Sequence, residues 1–485
     1  MLGLRGKMSI VGRIPEQRRL RRSLDSGEPE LIAIYGRRRV GKTYLVREFF
    51  GDQICFELTG SYQATLREQL QNFQLALRAS GAPAASPPSN WGEAFGQLRQ
   101  FLKPAAGQRQ VLFLDELPWL ASRRSGFLRA FEHFWNAWAS KQKWLVVVVC
   151  GSAASWMVRR LLRAKGGLHN RVTVAIRVDP FTLAESHEFL NRRGGVDSIH
   201  QTLELYMALG GIPFYLREVD RGESAAQAID RICFSRSGLL RDEFGKLYAS
   251  LFEHSERHQS IVRALARKKG GMTRGELIKS ADLSTGGGTS TLLEELEESG
   301  FLLRVGSFGR DVRDGVYRLA DEYSLFYLRW LERRRAGEDW LTRRNSPAWT
   351  AWSGTTFESI CIKHAVQLKA TLGIAAVETT QSTWFHQAHG DEEQGAQIDL
   401  LIDRRDDCIN VCEMKLTDDL FAIDKRYAAE LRRKLSVFRQ VTGTRKALFL
   451  TLVTRRGVRP NQYSQELVAK EVQLEELFRP LVPDT

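Results

Sequence analysis

The chain is poor in the features that would mark it as a secreted, metal-clustered or membrane protein. Only six cysteines occur in 485 residues (Cys55, Cys150, Cys233, Cys361, Cys408 and Cys412), and no two are spaced as a CxxC pair. That excludes a disulfide scaffold and a zinc ribbon, and it reads as small core residues in a reducing compartment. The longest apolar runs, such as Trp144 to Cys150, are about seven residues where a membrane helix needs roughly 20. Arg5 and Lys7 have no apolar stretch behind them, so a secretory signal is not expected. We therefore expect a cytoplasmic protein with no membrane partner. Glycine and proline are at ordinary levels, without low-complexity tracts, so the chain should fold, and its length suits two to four domains.

What the sequence has in excess is positive charge. Lys and Arg number 71 against 57 Asp and Glu, a formal +14, which favours a phosphorylated ligand or nucleic acid over a neutral metabolite. The excess is uneven. Residues 1–250 hold 36 basic and 23 acidic residues, residues 251–345 hold 17 and 15, and residues 346–485 hold 18 and 19.

From about residue 30 to 180, short apolar runs alternate with helical patterns, as in a parallel sheet covered by helices. Leu31–Tyr35, Val111–Leu114 and Leu145–Cys150 are the predicted strands, and the Pro-broken segment Gly81–Asn90 is a predicted surface loop. The first strand runs into Gly36-Arg37-Arg38-Arg39-Val40-Gly41-Lys42-Thr43, which fits GxxxxGK[ST], and a helical pattern follows. Gly36 and Gly41 let the backbone curl so that its N–H groups face phosphate oxygens at a helix N-terminus. Lys42 would reach the β- and γ-phosphates of ATP, and Thr43 would ligate Mg²⁺. The second strand ends in Asp115-Glu116, where Asp115 suits the Mg²⁺ shell and Glu116 suits a base for the attacking water. Ser152, after the third strand, stands where a polar side chain could sense the γ-phosphate. Arg171 could supply positive charge to phosphoryl transfer, in cis or from a neighbouring subunit of a homo-oligomer.

These motifs, GRRRVGKT, LFLDE, CGS and the break Gly210-Gly211-Ile212-Pro213, resemble the prokaryotic AAA+-like ATPases related to the STAND class. The resemblance implies an ATP-binding core, a helical lid, a winged helix and a restriction-endonuclease-like C-terminal domain of the PD-(D/E)xK kind. Roles inferred for such proteins lie in mobile elements, genome defence or regulation. The expected fold is thus multidomain α/β: residues 1–180 the P-loop core, 181–252 the lid, 253–332 the winged helix, 333–353 a helical linker and 354–485 the nuclease-like domain. Within the winged unit, helices are predicted at His258–Lys269, Thr273–Ala281 and Thr289–Ser299, and strands at Phe301–Val305 and Val316–Ala320. The third helix carries Glu294, Glu295, Glu297 and Glu298, which opposes phosphate contact and favours a spacer or protein-docking role over DNA reading, despite Arg310 and Arg313 in the wing.

In the last segment two predicted strands, Ala396–Asp403 and Ile409–Leu416, flank the turn Arg404-Arg405-Asp406-Asp407. Asp399 and Glu413 lie seven residues either side of Asp406, so a symmetric hairpin sets them opposite each other, with Lys415 on the same face as Glu413. Two carboxylates and a lysine suit a Mg²⁺-dependent phosphodiesterase acting on nucleic acid, DNA foremost. Facing carboxylates also repel unless a cation lies between them. Glu358, on the predicted helix Phe357–Ala370, resembles the acidic residue that the first helix of such nucleases contributes. Helix Asp424–Val441 would bury Ala428, Leu431, Leu435 and Phe438 and leave Arg432, Arg433, Lys434 and Arg439 for solvent or phosphate. The competing reading is a nucleotide-switched regulator or scaffold whose C-terminal fold binds partners without cleaving them. His386 and His389 are spaced HxxH as metal ligands can be, but no third ligand is evident nearby, and Arg18, Arg19, Arg21 and Arg22 read first as the solvated face of an N-terminal helix that could touch a phosphate backbone.

Overall fold

The computed structural model describes residues 10–83, 86–104, 107–163, 170–311, 314–334, 339–344, 346–388 and 395–480. Arg5, Lys7, Arg313 and His389 lie outside them. The chain divides into two compact units, residues 1–180 with 250–253, and residues 181–249 with 254–485.

The first unit is built on five parallel strands: β1 (Glu30–Tyr35), β2 (Ile54–Thr59), β3 (Gln110–Asp115), β4 (Leu145–Gly151) and β5 (Val174–Arg177), in the order β2-β3-β4-β1-β5. The central strands are apolar along their middles, Leu31–Ile34, Val111–Leu114 and Leu145–Cys150, because helices cover both faces. In β4 every residue from Leu145 to Gly151 is buried. An aromatic cluster of Phe73, Trp91, Phe95, Phe127, Phe131 and Phe134 fills one side of the sheet. The predicted strands at 31–35, 111–114 and 145–150 lie within β1, β3 and β4. The sequence reading did not single out β2, whose ICFELT mixes polar and apolar residues as a half-exposed sheet edge allows. The segment 81–90 separates the helices Leu66–Ala79 and Trp91–Phe101, each capped by a side chain, Thr65 and Asn90.

The second unit begins with helices between Leu183 and Leu251, interrupted at Gly210-Gly211. Gly211 is required there, since a Cβ would lie 1.9 Å from the carbonyl oxygen of Phe181. Helices Ser255–Ala266, Arg274–Ser280 and Gly287–Glu298 follow, then an antiparallel pair, β6 (Leu302–Ser307) and β7 (Val316–Leu319). The remaining strands are β8 (Thr379–His386), β9 (Ala396–Arg404), β10 (Cys408–Lys415), β11 (Ala447–Thr454) and β12 (Lys470–Gln473). They form one mixed sheet, ordered β12-β11-β10-β9-β8-β6-β7.

That order bears on the expected boundaries. The hairpin β6–β7, at the place expected for the wing, also pairs with β8 through Gly306↔Ser382 and Ser307↔Thr383 and so extends the C-terminal sheet. The helix Pro347–Lys363 runs without a break across residues 353 and 354. Trp330 packs edge-to-face on Trp340 and Trp352, Trp340 does so on Trp349, and Trp349 lies tilted against Trp352. No helix among the described residues is long and apolar enough to cross a membrane.

Candidate functional site

Strand order assembles the first site. Because β4 lies between β1 and β3, the ends of all three strands meet at one edge. The P-loop leaves β1 at Gly36, whose φ of 148° and a Cβ position 2.2 Å from the carbonyl oxygen of Val178 admit only glycine. The loop turns at Arg39 (φ 72°) and Gly41 (φ 92°) and opens the helix Lys42–Phe50. Arg13 donates to the carbonyl of Val40 at 3.0 Å and holds the loop from outside. Arg37 and Val40 are buried, whereas Arg38 and Arg39 are partly exposed.

The side chains form one hydrogen-bonded chain. Lys42 Nζ donates to the carbonyls of Gly36 (3.0 Å) and Arg37 (2.8 Å) and to Ser152 Oγ (3.1 Å). Ser152 in turn donates from its hydroxyl (2.5 Å) and its backbone N–H (3.0 Å) to the carboxylate of Glu116. Thr43 Oγ1 donates to Asp115 Oδ2 at 2.7 Å, and Asp115 Oδ1 accepts the backbone N–H of Glu116 at 2.9 Å. Burial lowers the Lys42 pKa, against the pull of Cys150, Glu116 and Asp115. A hydroxyl and a carboxylate side by side, at the mouth of a loop of backbone N–H groups, are the hard oxygen donors that Mg²⁺ takes beside phosphate. Thr43 and Asp115 fit that ion. Arg171 lies exposed in the turn before β5 and makes no hydrogen bond or ion pair with these side chains among the described residues.

The second candidate site lies on the mixed sheet. β9 and β10 pair antiparallel with Asp403↔Ile409 through Leu400↔Cys412, a register symmetric about Asp406 that runs toward Asp399 and Glu413. The carboxylates each find a cation. Glu413 accepts from Lys434 (2.6 Å), Lys415 (3.1 Å) and the hydroxyl of Tyr427 (2.9 Å). Asp399 meets Arg318 at 3.3 Å and Gln397 Nε2 at 2.8 Å, and Glu358 meets Lys269 at 3.3 Å. Burial pushes the Glu413 carboxyl up, but Lys434 and Lys415 outweigh it and hold it below its ordinary value. Burial and the nearby Asp399 push Glu358 up to about 6, against Lys269. Burial and Glu413 push the Tyr427 hydroxyl up.

Two expectations change here. Lys434 does not face solvent; its side chain is 12% exposed and belongs to the site. The repulsion between carboxylates, which suggested a metal, is relieved by Lys434, Lys415, Arg318 and Lys269. Among the described residues, no group of three or more His, Cys, Asp or Glu is gathered so as to hold a metal ion. Lys434 and Tyr427 were visible in principle, because they stand three residues after and four before Leu431 and so share its inward face. Arg318 and Lys269 had no local signal. Of the other arginines in the C-terminal helix, Arg432 pairs with Glu466 and Arg433 donates to the carbonyl of Gly395.

Comparison with known proteins bears on the first site. Residues 11–219 match the family described as an ATPase domain predominantly from Archaea. An uncharacterized protein of Methanocaldococcus jannaschii is 25% identical over 334 residues, 66% of this chain and 69% of that one. A Walker-type ATPase of Pyrococcus abyssi superposes with a TM-score of 0.51 at 20% identity, covering 68% of this chain and 99% of its own. The ORC2 protein of Aeropyrum pernix, solved as ADPNP–ADP complexes, gives 0.42 at 14% identity over 74% and 96%. The family match over residues 11–219, together with the parallel sheet and the P-loop, identifies this part of the chain as a P-loop ATPase domain.

Proposed function

We propose that residues Gly36 to Thr43 bind the triphosphate of ATP, that Thr43 and Asp115 hold Mg²⁺, and that Glu116 activates the water that hydrolyses it. The observation that carries this reading is the chain Lys42–Ser152–Glu116. Lys42 is buried and bonded to neutral oxygens only, so a phosphate is a stronger acceptor than any it now has. When Lys42 turns to phosphate, Ser152 loses one partner while still holding Glu116, so occupancy of the γ position is felt at the base through a single hydroxyl. Mg²⁺, when bound, would neutralise charge developing between the β- and γ-phosphates. Arg38 and Arg39 add positive potential at the loop, and Arg171 would act only on an approach this arrangement does not contain, such as a second copy of the chain. The test is ATP binding and turnover. Lys42→Ala should lose binding, whereas Glu116→Gln should keep binding and lose about 10²–10⁴-fold in turnover. Equal binding by Lys42→Ala would overturn the assignment.

For the C-terminal sheet, a Mg²⁺-dependent phosphodiesterase acting on nucleic acid, with Glu358, Asp399, Glu413 and Lys415 as its residues, is supported by a specific observation. Burial first, and the nearby Asp399 carboxylate second, raise the Glu358 pKa, and two neighbouring carboxylates of this kind attract a divalent cation. The contrary observation is that ammonium groups occupy Glu413, which suits a partner-binding scaffold equally. Mg²⁺-dependent cleavage of single- or double-stranded DNA or RNA, abolished by Asp399→Ala, would decide for the enzyme. Inactivity on every form would decide for the nucleotide-switched scaffold. Roles in genome defence or mobile-element biology follow only from the first outcome.

A further inference from the structure

Two cavities in the second unit share one wall. The first, about 580 Å³, is bounded by seven basic residues against two acidic ones, and its basic rim includes the exposed Arg267, Lys268, Lys269, Arg329 and Arg333. The second, about 540 Å³, lies on the other side of the loop Lys268 to Gly271 and presents the aromatic rings of Phe308, Phe385 and His386. Phe385 is 65% exposed although it lies inside a strand, and His386 stacks on the buried Trp384 with ring planes 15° apart. The loop common to both linings requires glycine at one position. Gly271 has φ 89°, and a Cβ there would fall 2.5 Å from the carbonyl oxygen of Tyr317.

The first cavity reaches one of the carboxylates, and each cavity is lined by a residue that bonds to Asp399. Glu358 and Arg318, the partner of Asp399, line the first, and Gln397, which donates to Asp399, lines the second. A wall of cations is complementary to a phosphate backbone. The exposed Phe385 ring is complementary to the face of a base. Paired bases in a duplex cover their own faces, so rings in a cavity select bases that are unpaired.

We infer that these cavities are the two halves of a binding path for single-stranded nucleic acid, with the backbone along Arg267, Lys268, Arg329 and Arg333 and a base stacked on Phe385. The path delivers the strand to Glu358 and Asp399. It deepens the phosphodiesterase reading and rests on it only for what happens at that point, because binding needs no cleavage.

The experiment is fluorescence anisotropy on the full chain in EDTA, with a labelled oligothymidylate, a blunt hairpin duplex and free thymidine monophosphate as competitor. The oligothymidylate should bind more tightly than the duplex at equal salt, and the monophosphate should compete poorly. Arg329→Ala with Arg333→Ala should flatten the dependence of log affinity on log salt by about 1.4, two contacts at about 0.7 each. Phe385→Ala should weaken binding on the order of tenfold without changing that slope, and Phe385→Trp should restore it. Unchanged thermal melting establishes that these exposed positions leave the fold intact. Equal affinity for duplex with a neutral Phe385→Ala, or full competition by the monophosphate, would overturn the path. The two readings fail separately. Binding that depends on Phe385 without any Mg²⁺-dependent cleavage removes the nuclease and leaves the path, whereas cleavage indifferent to Phe385, Arg329 and Arg333 removes the path and leaves the nuclease.

Discussion

Lys434→Met isolates the electrostatics of the mixed-sheet site. The change keeps the side chain's apolar length and deletes the ammonium 2.6 Å from Glu413, whose side chain is 11% exposed. Breaking a buried pair by removing one partner costs roughly 3–5 kcal/mol when the survivor is left unpaired. Here Glu413 keeps Lys415 at 3.1 Å and the Tyr427 hydroxyl at 2.9 Å. The loss should therefore be nearer that of one charge-assisted hydrogen bond, about 2 kcal/mol. Urea unfolding followed by tryptophan emission measures it, with Trp384 packed 5.1 Å from Phe438 on the helix that carries Lys434. A double-mutant cycle with Glu413→Gln should show a coupling of at least about 1 kcal/mol. The pH dependence has a definite sign. The Glu413 pKa is depressed in the folded state, so its contribution is present above the ordinary value of 4.5 and is lost as pH falls below it. The gap between wild type and Lys434→Met should narrow in acid. Additivity within about 0.5 kcal/mol at pH 7, or a gap unchanged from neutral pH to pH 3, would refute the argument.

Glu358→Gln should have the opposite sign: its carboxyl sits at about 6 in the folded state against 4.5 ordinarily, so ionisation opposes folding as pH rises through that window, and the variant should gain up to about 2 kcal/mol above pH 6. His364, buried and held near 4 against an ordinary 6.5, accepts from the backbone N–H of Leu183 at 3.1 Å. Stability of the second unit should fall by up to about 3 kcal/mol as pH drops from 6.5 to 4, and His364→Gln should flatten that slope in thermal melts. Gly36→Ala should cost about 3 kcal/mol or more and abolish ATP binding, since its Cβ would press on Val178. Ser152→Ala should leave ATP binding near wild type and lower turnover about tenfold, read by phosphate release, because Glu116 keeps the backbone N–H but loses the hydroxyl.

The P-loop and the Asp115-Glu116 pair were legible because their chemistry is local. A glycine-bounded loop between a strand and a helix positions backbone N–H groups whatever surrounds it, and four apolar residues ending in two acids mark a strand edge. The hairpin register about Asp406 was legible for the same reason, since strand period and turn length fix which residues oppose each other. Three things were not local. The strand order that brings β4 between β1 and β3 decides that Ser152 touches both Lys42 and Glu116. Pairing of β6 with β8 decides that the hairpin read as a wing also extends the C-terminal sheet. The cations on the C-terminal carboxylates come from residues 269, 318 and 434, which stand 89, 81 and 21 positions from their partners, and only packing brings them there.

The sequence by itself determined that this chain carries a phosphate-binding loop with its acidic partner and a D…ExK hairpin, because each is written within a few turns of backbone. Only the tertiary structure decided which charges neutralise Asp399, Glu358 and Glu413, and that a basic cavity and an aromatic one meet beside them. A long side chain's partner is set by which elements pack together, and that information is spread over the whole sheet instead of any single stretch of sequence.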